Sequence, residues 1–159
     1  MTFDVNMIEP PAGSASQELY SKSLVNPMSG LANDYLNLFN ELVMILEQLP
    51  LMSDLYEDLC AWRPVSYRDY FLNSPLPDRH SALAAYEQLN PVFRKRFEAF
   101  VAELDVIALA SVASVRRQFR DGAPTDQARL AETCERAGEK MRQILVRASR
   151  LVNYANLEA

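Results

Sequence analysis

Residues 30–49 carry the clearest two-sided pattern of apolar and polar positions in the chain. At about 100° per residue, the apolar side chains gather on one half of an α-helix. They are Leu31, Tyr35, Leu38, Phe39, Leu42, Val43, Ile45, Leu46 and Leu49. The pattern therefore predicts an amphipathic helix that buries one face and ends before Pro50. Its start has two candidate caps, Asn26 followed by Pro27, or Ser29.

The opposite half of this helix carries amides and acids but no Lys or Arg. Asparagine is a poor helix former, and a purely solvated helix face would use Lys, Glu, Gln and Arg instead. We therefore predict that this half contacts something. The candidate contact residues are Asn33, Asn37, Asn40, Glu41 and Met44. Three alternatives stay open for what covers them: the N-terminal arm or a loop, a partner protein or a second copy of the chain, and a small ligand or metal.

Residues 52–89 are predicted to form several short helices, because prolines and cap residues divide this segment at close intervals. The predicted helices are residues 54–62, 67–72 and 79–89, with Ser53, Ser66 and Asp78 as their respective caps. In the second of them, Tyr67, Tyr70 and Phe71 are expected to wedge against a core.

Two long helices follow, over residues 91–120 and 126–153, with Asn90 and Pro91 opening the first. The middle of the first, residues 106–115, is apolar or small nearly all round, so we expect it inside a bundle. The second repeats apolar and small residues at three-four spacing, which is typical of a coiled-coil-like seam. The seam is Leu130, Cys134, Ala137, Met141, Ile144, Ala148, Leu151 and Ala155. A connection this short makes the two helices antiparallel neighbours.

These elements predict an all-α protein, an antiparallel helical bundle with two long C-terminal helices and shorter packing helices. A chain of 159 residues fits one domain with its own core. Residues 1–25 mix Pro, Gly and Ser with isolated apolar residues, which indicates an irregular N-terminal arm. Residues 26–159 then form a single helical-bundle domain.

The charge of the chain excludes one class of partner. The formal net charge is −5, whereas general nucleic-acid binding needs a surplus of Lys and Arg on one face. The charge is also uneven, because residues 1–80 hold 11 acidic against 4 basic side chains and residues 81–159 hold 10 against 12. This asymmetry suggests that the two halves attract each other or different partners.

The sequence also predicts a cytoplasmic protein that does not enter a membrane. No stretch approaches the roughly 18 uninterrupted apolar residues of a membrane span. The first residues lack the basic and apolar regions of a signal peptide. Cys60 and Cys134 are isolated, so neither a zinc site nor redox chemistry is indicated.

Catalytic chemistry finds little support in the residue types present. The single histidine, His80, excludes a di-iron site built from two Glu-x-x-His motifs and weakens any Ser-His-Asp or Cys-His scheme. A carboxylate-only Mg²⁺ site needs no histidine. The acidic sets are Asp34 with Glu41; Asp54, Glu57 and Asp58; and Glu98, Glu103 and Asp105. Their spacing does not match a paired ExxE and ExxD pattern, and no glycine-rich phosphate loop is present.

The resulting hypothesis is a non-enzymatic, cytoplasmic regulatory or adaptor protein that binds a partner protein through a helical face, with a homodimer as one form of that contact. It implies no cofactor and no metal. The alternative is a Mg²⁺-dependent hydrolase of a phosphorylated small molecule that uses carboxylates alone.

Overall fold

The computed structural model describes residues 24–155, and all regular structure in that range is helical. A 3₁₀ turn over Asn33–Leu36 leads into six α-helices. These are α1 (Asn37–Gln48), α2 (Leu55–Ala61), α3 (Tyr67–Leu72), α4 (Arg79–Glu87), α5 (Pro91–Gln118) and α6 (Gln127–Tyr154). The predicted all-α class, with two long C-terminal helices packed together, is confirmed. The predicted arm lies outside the described residues up to residue 23.

The long helices α5 and α6 run antiparallel, and α1 packs along α6. Near the α5–α6 connection, Gln118 Nε2 donates a hydrogen bond of 2.8 Å to Thr133 Oγ1. At the far end of the pair, the Arg147 guanidinium lies 5.1 Å from the centre of the Phe100 ring. Antiparallel packing of two helices joined by a short loop is usual in helical bundles.

The seam predicted for α6 is confirmed over its helical length. From Leu130 to Leu151, every seam residue is buried. Ala155 instead forms the C-cap of the helix in a left-handed conformation, with φ of 51°. Gly138 lies within the seam region, and a Cβ there would meet the Glu47 side chain at 3.6 Å and Val43 at 3.9 Å. These are ordinary van der Waals distances, so α1 packs against α6 here with room for a methyl group at Gly138.

The 3₁₀ turn and the start of α1 are held by an aromatic cluster centred on Tyr35. This ring is fully buried, and four other ring centroids lie 5.2 to 6.2 Å from its own. The neighbours are Phe39, Tyr67, Tyr70 and Phe97. Edge-to-face pairs of this kind stabilise a core beyond their area burial. The prediction that Tyr67, Tyr70 and Phe71 wedge against a core agrees with Tyr67 and Phe71 being buried and Tyr70 packing against them.

Polar groups on these aromatic residues tie α3 and the segment before it to the start of α1. Tyr35 Oη donates to the Val65 carbonyl at 2.6 Å, and the Ala32 amide donates to Tyr67 Oη at 3.0 Å. Trp62 Nε1 donates to the Leu38 carbonyl at 2.8 Å. Each bond supplies a partner to a polar group that burial removes from water, and such groups are costly when left unpaired.

The predicted start of the first helix is wrong. Asn26 Oδ1 accepts from the Met28 amide and Ser29 Oγ accepts from the Leu31 amide, so both side chains cap tight turns rather than a helix. Gly30 has φ of +76°, which breaks the helical path. Regular structure therefore begins at Asn33, and as a 3₁₀ turn.

The caps of the later helices follow the prediction more closely. Ser66 Oγ accepts from the Asp69 amide, and Asn90 Oδ1 accepts from the Val92 amide, as expected of N-caps. Ser53 does not cap α2, whose N-cap position is Asp54 without a side-chain hydrogen bond. Asp78 holds the N-cap position of α4, also without one.

The expectation that the middle of α5 lies inside the bundle is wrong for one side of it. Ala108, Ser111, Val112 and Val115 are buried against the other helices. On the opposite side, however, Val106 is 68% exposed and Leu109 is 52% exposed, and Ala102, Ala110 and Ala113 are exposed beside them. A helix that is apolar all round needs neighbours on all sides, and within residues 24–155 α5 has neighbours on one side only.

We expect Tyr35→Phe to lower the free energy of unfolding by about 1–3 kcal/mol, because it leaves the Val65 carbonyl without its hydrogen bond next to a buried ring. Urea denaturation at neutral pH measures the change. Tyr154→Phe is the matched control, since Tyr154 is exposed, and its effect should stay within about 0.5 kcal/mol. Equal effects of the two substitutions would contradict the assignment.

Alkaline pH is expected to destabilise the fold. Burial raises the pKa of Tyr67 to about 12 from 10.0, although the hydrogen bond from the Ala32 backbone opposes the shift. The neutral phenol is therefore favoured in the folded state. Its contribution to the free energy of unfolding is fully present below pH 10 and is lost as the pH rises to about 12. Urea denaturation between these values should show a falling free energy of unfolding, with a smaller slope in Tyr67→Phe.

Candidate functional site

A groove runs along the surface between α1 and the C-terminal half of α6. Its volume is about 830 Å³. From the first helix and the 3₁₀ turn it is lined by Asn33, Leu36, Asn37, Asn40, Val43, Met44 and Glu47. From α6 it is lined by Arg142, Leu145, Val146, Ser149, Arg150, Asn153 and Tyr154. We call this surface the amide groove.

The amphipathic pattern of residues 31–49 places the asparagines in this groove. Its apolar half is buried in the core, which turns the opposite half outward next to α6. Asn33, Asn37 and Asn40 are all exposed, and Met44 is 53% exposed. Within residues 24–155, no loop lies over them, so the amide face is open in the described part of the chain.

Two apolar side chains of α6 add to the exposed apolar surface of the amide groove. Val146 is 50% exposed and Tyr154 is 69% exposed. Together with Met44 they expose three large apolar side chains around one groove, whereas large apolar residues on a surface are normally scattered singly. A grouping of this kind is typical of a contact surface.

A cluster of amides closes one end of the groove. Asn153 Oδ1 accepts hydrogen bonds from Asn33 Nδ2 and, at 3.4 Å, from Asn26 Nδ2. Its own Nδ2 donates to Ser149 Oγ at 3.2 Å. Asn153 therefore links the chain before the 3₁₀ turn to the end of α6.

An ion pair closes the other end. Arg142 Nε and Nη2 lie 2.6 and 2.5 Å from Glu47 Oε1. Both side chains keep much of their surface in solvent, and exposed pairs contribute little stability. The pair bridges α1 and α6 close to Gly138, where the two helices pack together.

The centre of the groove keeps unused hydrogen-bonding capacity. Asn40 Nδ2 donates to Asn37 Oδ1 at 3.5 Å, a long bond. Within the described residues, Asn37 Nδ2 and Asn40 Oδ1 have no partner, so one donor and one acceptor face outward. A side-chain amide presents the same donor and acceptor pair as a peptide group, and it can therefore pair with the backbone of a bound chain.

Four of the five residues predicted from the sequence meet in this groove. Asn33, Asn37, Asn40 and Met44 line it, whereas Glu41 is exposed outside its lining. The α6 half of the groove was missed by sequence reasoning. Val146 and Tyr154 lie outside the α6 seam, and two exposed apolar residues eight apart on one helix face were the available signal.

The acidic sets do not assemble into a metal centre in the described part of the chain. Among residues 24–155, no group of three or more His, Cys, Asp or Glu side chains is arranged to hold a metal ion. His80 is exposed in the first turn of α4, and Cys134 is buried in the α6 seam. Burial raises the pKa of Asp105, and its Oδ1 has no hydrogen-bond partner in the described residues. Asp105 shares a cavity with Glu98, but two carboxylates are fewer than the three or more ligands of a metal centre.

Over the described residues, none of the helices has both the length and the apolar character needed to cross a membrane. Comparisons of the chain with models of protein families, with curated protein sequences and with solved structures find no match.

Asn153→Ala is expected to lower the free energy of unfolding by about 1 kcal/mol, because Asn26 and Asn33 lose a shared acceptor. Hydrogen exchange should also show faster opening of the 3₁₀ turn. Asn40→Ala is the matched control, since Asn40 bonds only to its neighbour Asn37 on the same helix. If exchange in the turn is unchanged in Asn153→Ala, Asn153 does not anchor this end of the groove.

Proposed function

We propose that this protein is a non-enzymatic regulatory or adaptor protein that binds a segment of a partner protein in the amide groove. The observation that carries the proposal is the meeting of exposed asparagines with exposed Met44, Val146 and Tyr154 along one groove. The amides offer hydrogen bonds to a backbone, and the three apolar side chains offer contacts to its side chains.

The size and openness of the groove favour a chain segment over a small ligand. Residues 33–47 span roughly 20 Å at the rise of a helix. The groove is open to solvent along this length, whereas small-molecule sites enclose most of their ligand. A helix or extended segment of about six residues or more would follow it from the Asn33–Asn153 end to the Glu47–Arg142 end.

The cytoplasmic location belongs to the same proposal. It is supported by Cys60 and Cys134, which are free thiols. Disulfides are usual in oxidising compartments, whereas thiols persist where glutathione and thioredoxin keep them reduced.

Replacing Asn37 and Asn40 together with Lys should abolish partner binding without unfolding the domain, because both residues are exposed and carry unused groups of the groove centre. Peptides selected from a random display library against the full-length protein provide the measurement. Their affinity for Asn37→Lys/Asn40→Lys should fall by roughly tenfold or more, as expected when two central contacts are lost.

Gln88→Lys/Gln143→Lys is the matched control, since it makes the same change in charge at two exposed amides outside the groove. Selected peptides should bind this variant as they bind the wild type. Sedimentation velocity of all three proteins tests for a second copy of the chain as the partner. Unchanged peptide binding and unchanged association in the Asn37→Lys/Asn40→Lys variant would refute the groove as an interface.

A further inference from the structure

A second surface, separate from the amide groove, lies on the outer side of α5. Its exposed residues are Ala99, Ala102, Val106, Leu109, Ala110 and Ala113. At about 100° per residue these side chains fall within a sector of roughly 100°. They cover about 21 Å of the helix without a charged residue. Since α5 is apolar nearly all round at this level, its composition calls for a neighbour on this face, and none of the elements within residues 24–155 supplies it.

A crevice between α5 and α6 borders this face. Its volume is about 430 Å³, and it is lined by Val106, Ile107, Ala110 and Ser111 of α5 among others. Buried Ala137 of α6 lies opposite them. Small side chains on both helices keep the crevice open enough for the side chains of a third helix, as in ridges-into-grooves packing.

The charges that frame the face and the crevice are mainly basic. Lys95 lies beyond one end of the apolar stripe, and Arg116 and Arg117 lie beyond the other. Along the α6 side the crevice is lined by Arg129, Arg136 and Lys140. This local surplus contrasts with the net charge of −5 of the whole chain.

The acids near this surface offset part of the surplus. Glu132 lines the crevice and pairs with Arg136 at 2.8 Å, so Arg129 and Lys140 remain as the crevice cations without an ion pair in the described residues. Glu98, at the N-terminal end of α5, accepts from Tyr86 Oη at 2.7 Å and lies near Arg94. Glu103 and Asp105 lie on the two flanks of the stripe, and neither has an ion pair in the described residues; Glu103 is exposed and Asp105 is half-buried.

We propose that the outer face of α5 and its crevice dock an amphipathic helix of a partner protein, with an apolar stripe and acidic flanks. The apolar stripe would pack on Val106 and Leu109 and into the crevice. Its Asp and Glu side chains would pair with Arg129 and Lys140. Helices that lay an apolar face into a groove are an established mode of recognition, and charge complementarity selects among them.

A second copy of the same chain fits this face poorly. If two α5 helices met antiparallel through the stripe, Lys95 of each copy would lie opposite Arg116 and Arg117 of the other. If they met parallel, each basic group would lie opposite its own counterpart. Both two-fold arrangements oppose like charges at the ends of the contact, which disfavours self-pairing.

A display library of helical peptides tests the proposal. Each peptide carries Ala, Val or Leu at its i, i+3, i+4 and i+7 positions. The positions that flank this apolar stripe vary among Glu, Lys and Gln. Selection against the full-length protein should enrich Glu at the flanks. Affinity of the selected peptides should fall roughly tenfold or more for Val106→Glu and for Arg129→Glu/Lys140→Glu, and should weaken several-fold as NaCl rises from about 50 to about 500 mM.

Val146→Glu is the matched control, because Val146 is an exposed apolar residue in the amide groove instead. It should leave binding of the selected helices unchanged, so a failure of the amide groove and a failure of the α5 face can be told apart. Circular dichroism confirms that each variant folds. Three outcomes would overturn the proposal: enrichment of Lys at the flanks, binding by Val106→Glu equal to that of the wild type, or no enrichment of any peptide. The last outcome is expected if a segment of this chain covers the face. Self-association that Val106→Glu removes would overturn it in favour of a second copy.

Discussion

Burial of the Tyr35 ring is the constraint on which the rest of the structure depends. The phenol is fully enclosed, and its hydroxyl group reaches the Val65 carbonyl at 2.6 Å. Around it, the Ala32 amide and the Leu38 carbonyl also bond to side chains of the segment before and within α3. Because a buried polar group is costly without a partner, these bonds fix α1 in one rotation about its axis.

The rotation of α1 decides what the protein shows to its surroundings. With the apolar half in the core, Asn37, Asn40 and Met44 face outward and lie beside α6. Gly138 faces the side chains of Glu47 and Val43 where the two helices pack together, at distances that leave room for a methyl group. The amide groove is thus a consequence of core packing rather than of any local feature of its own residues.

Helix α6 has a different surface on each side of its buried seam. On the side towards α1, Val146 and Asn153 line the amide groove together with Asn37, Asn40 and Met44. Towards α5 it offers Arg136 and Lys140, next to an apolar crevice. The two surfaces suit different chemistry, since one can pair with a peptide backbone and the other with an acidic amphipathic helix. An adaptor with both would hold two partners on one rigid bundle.

The sequence by itself determined the all-α class, the extent of the long helices, the α6 seam and the outward half of α1. Those features depend on local periodicity and on caps such as Ser66 and Asn90, which act within a few residues. The tertiary structure decided that α1 starts at a 3₁₀ turn, that α6 supplies Val146 to the amide groove, and that Val106 of α5 stays exposed. Each depends on which helix faces meet. Hydrophobic attraction is non-directional, so a pattern of apolar residues states that a face is apolar without stating which neighbour covers it.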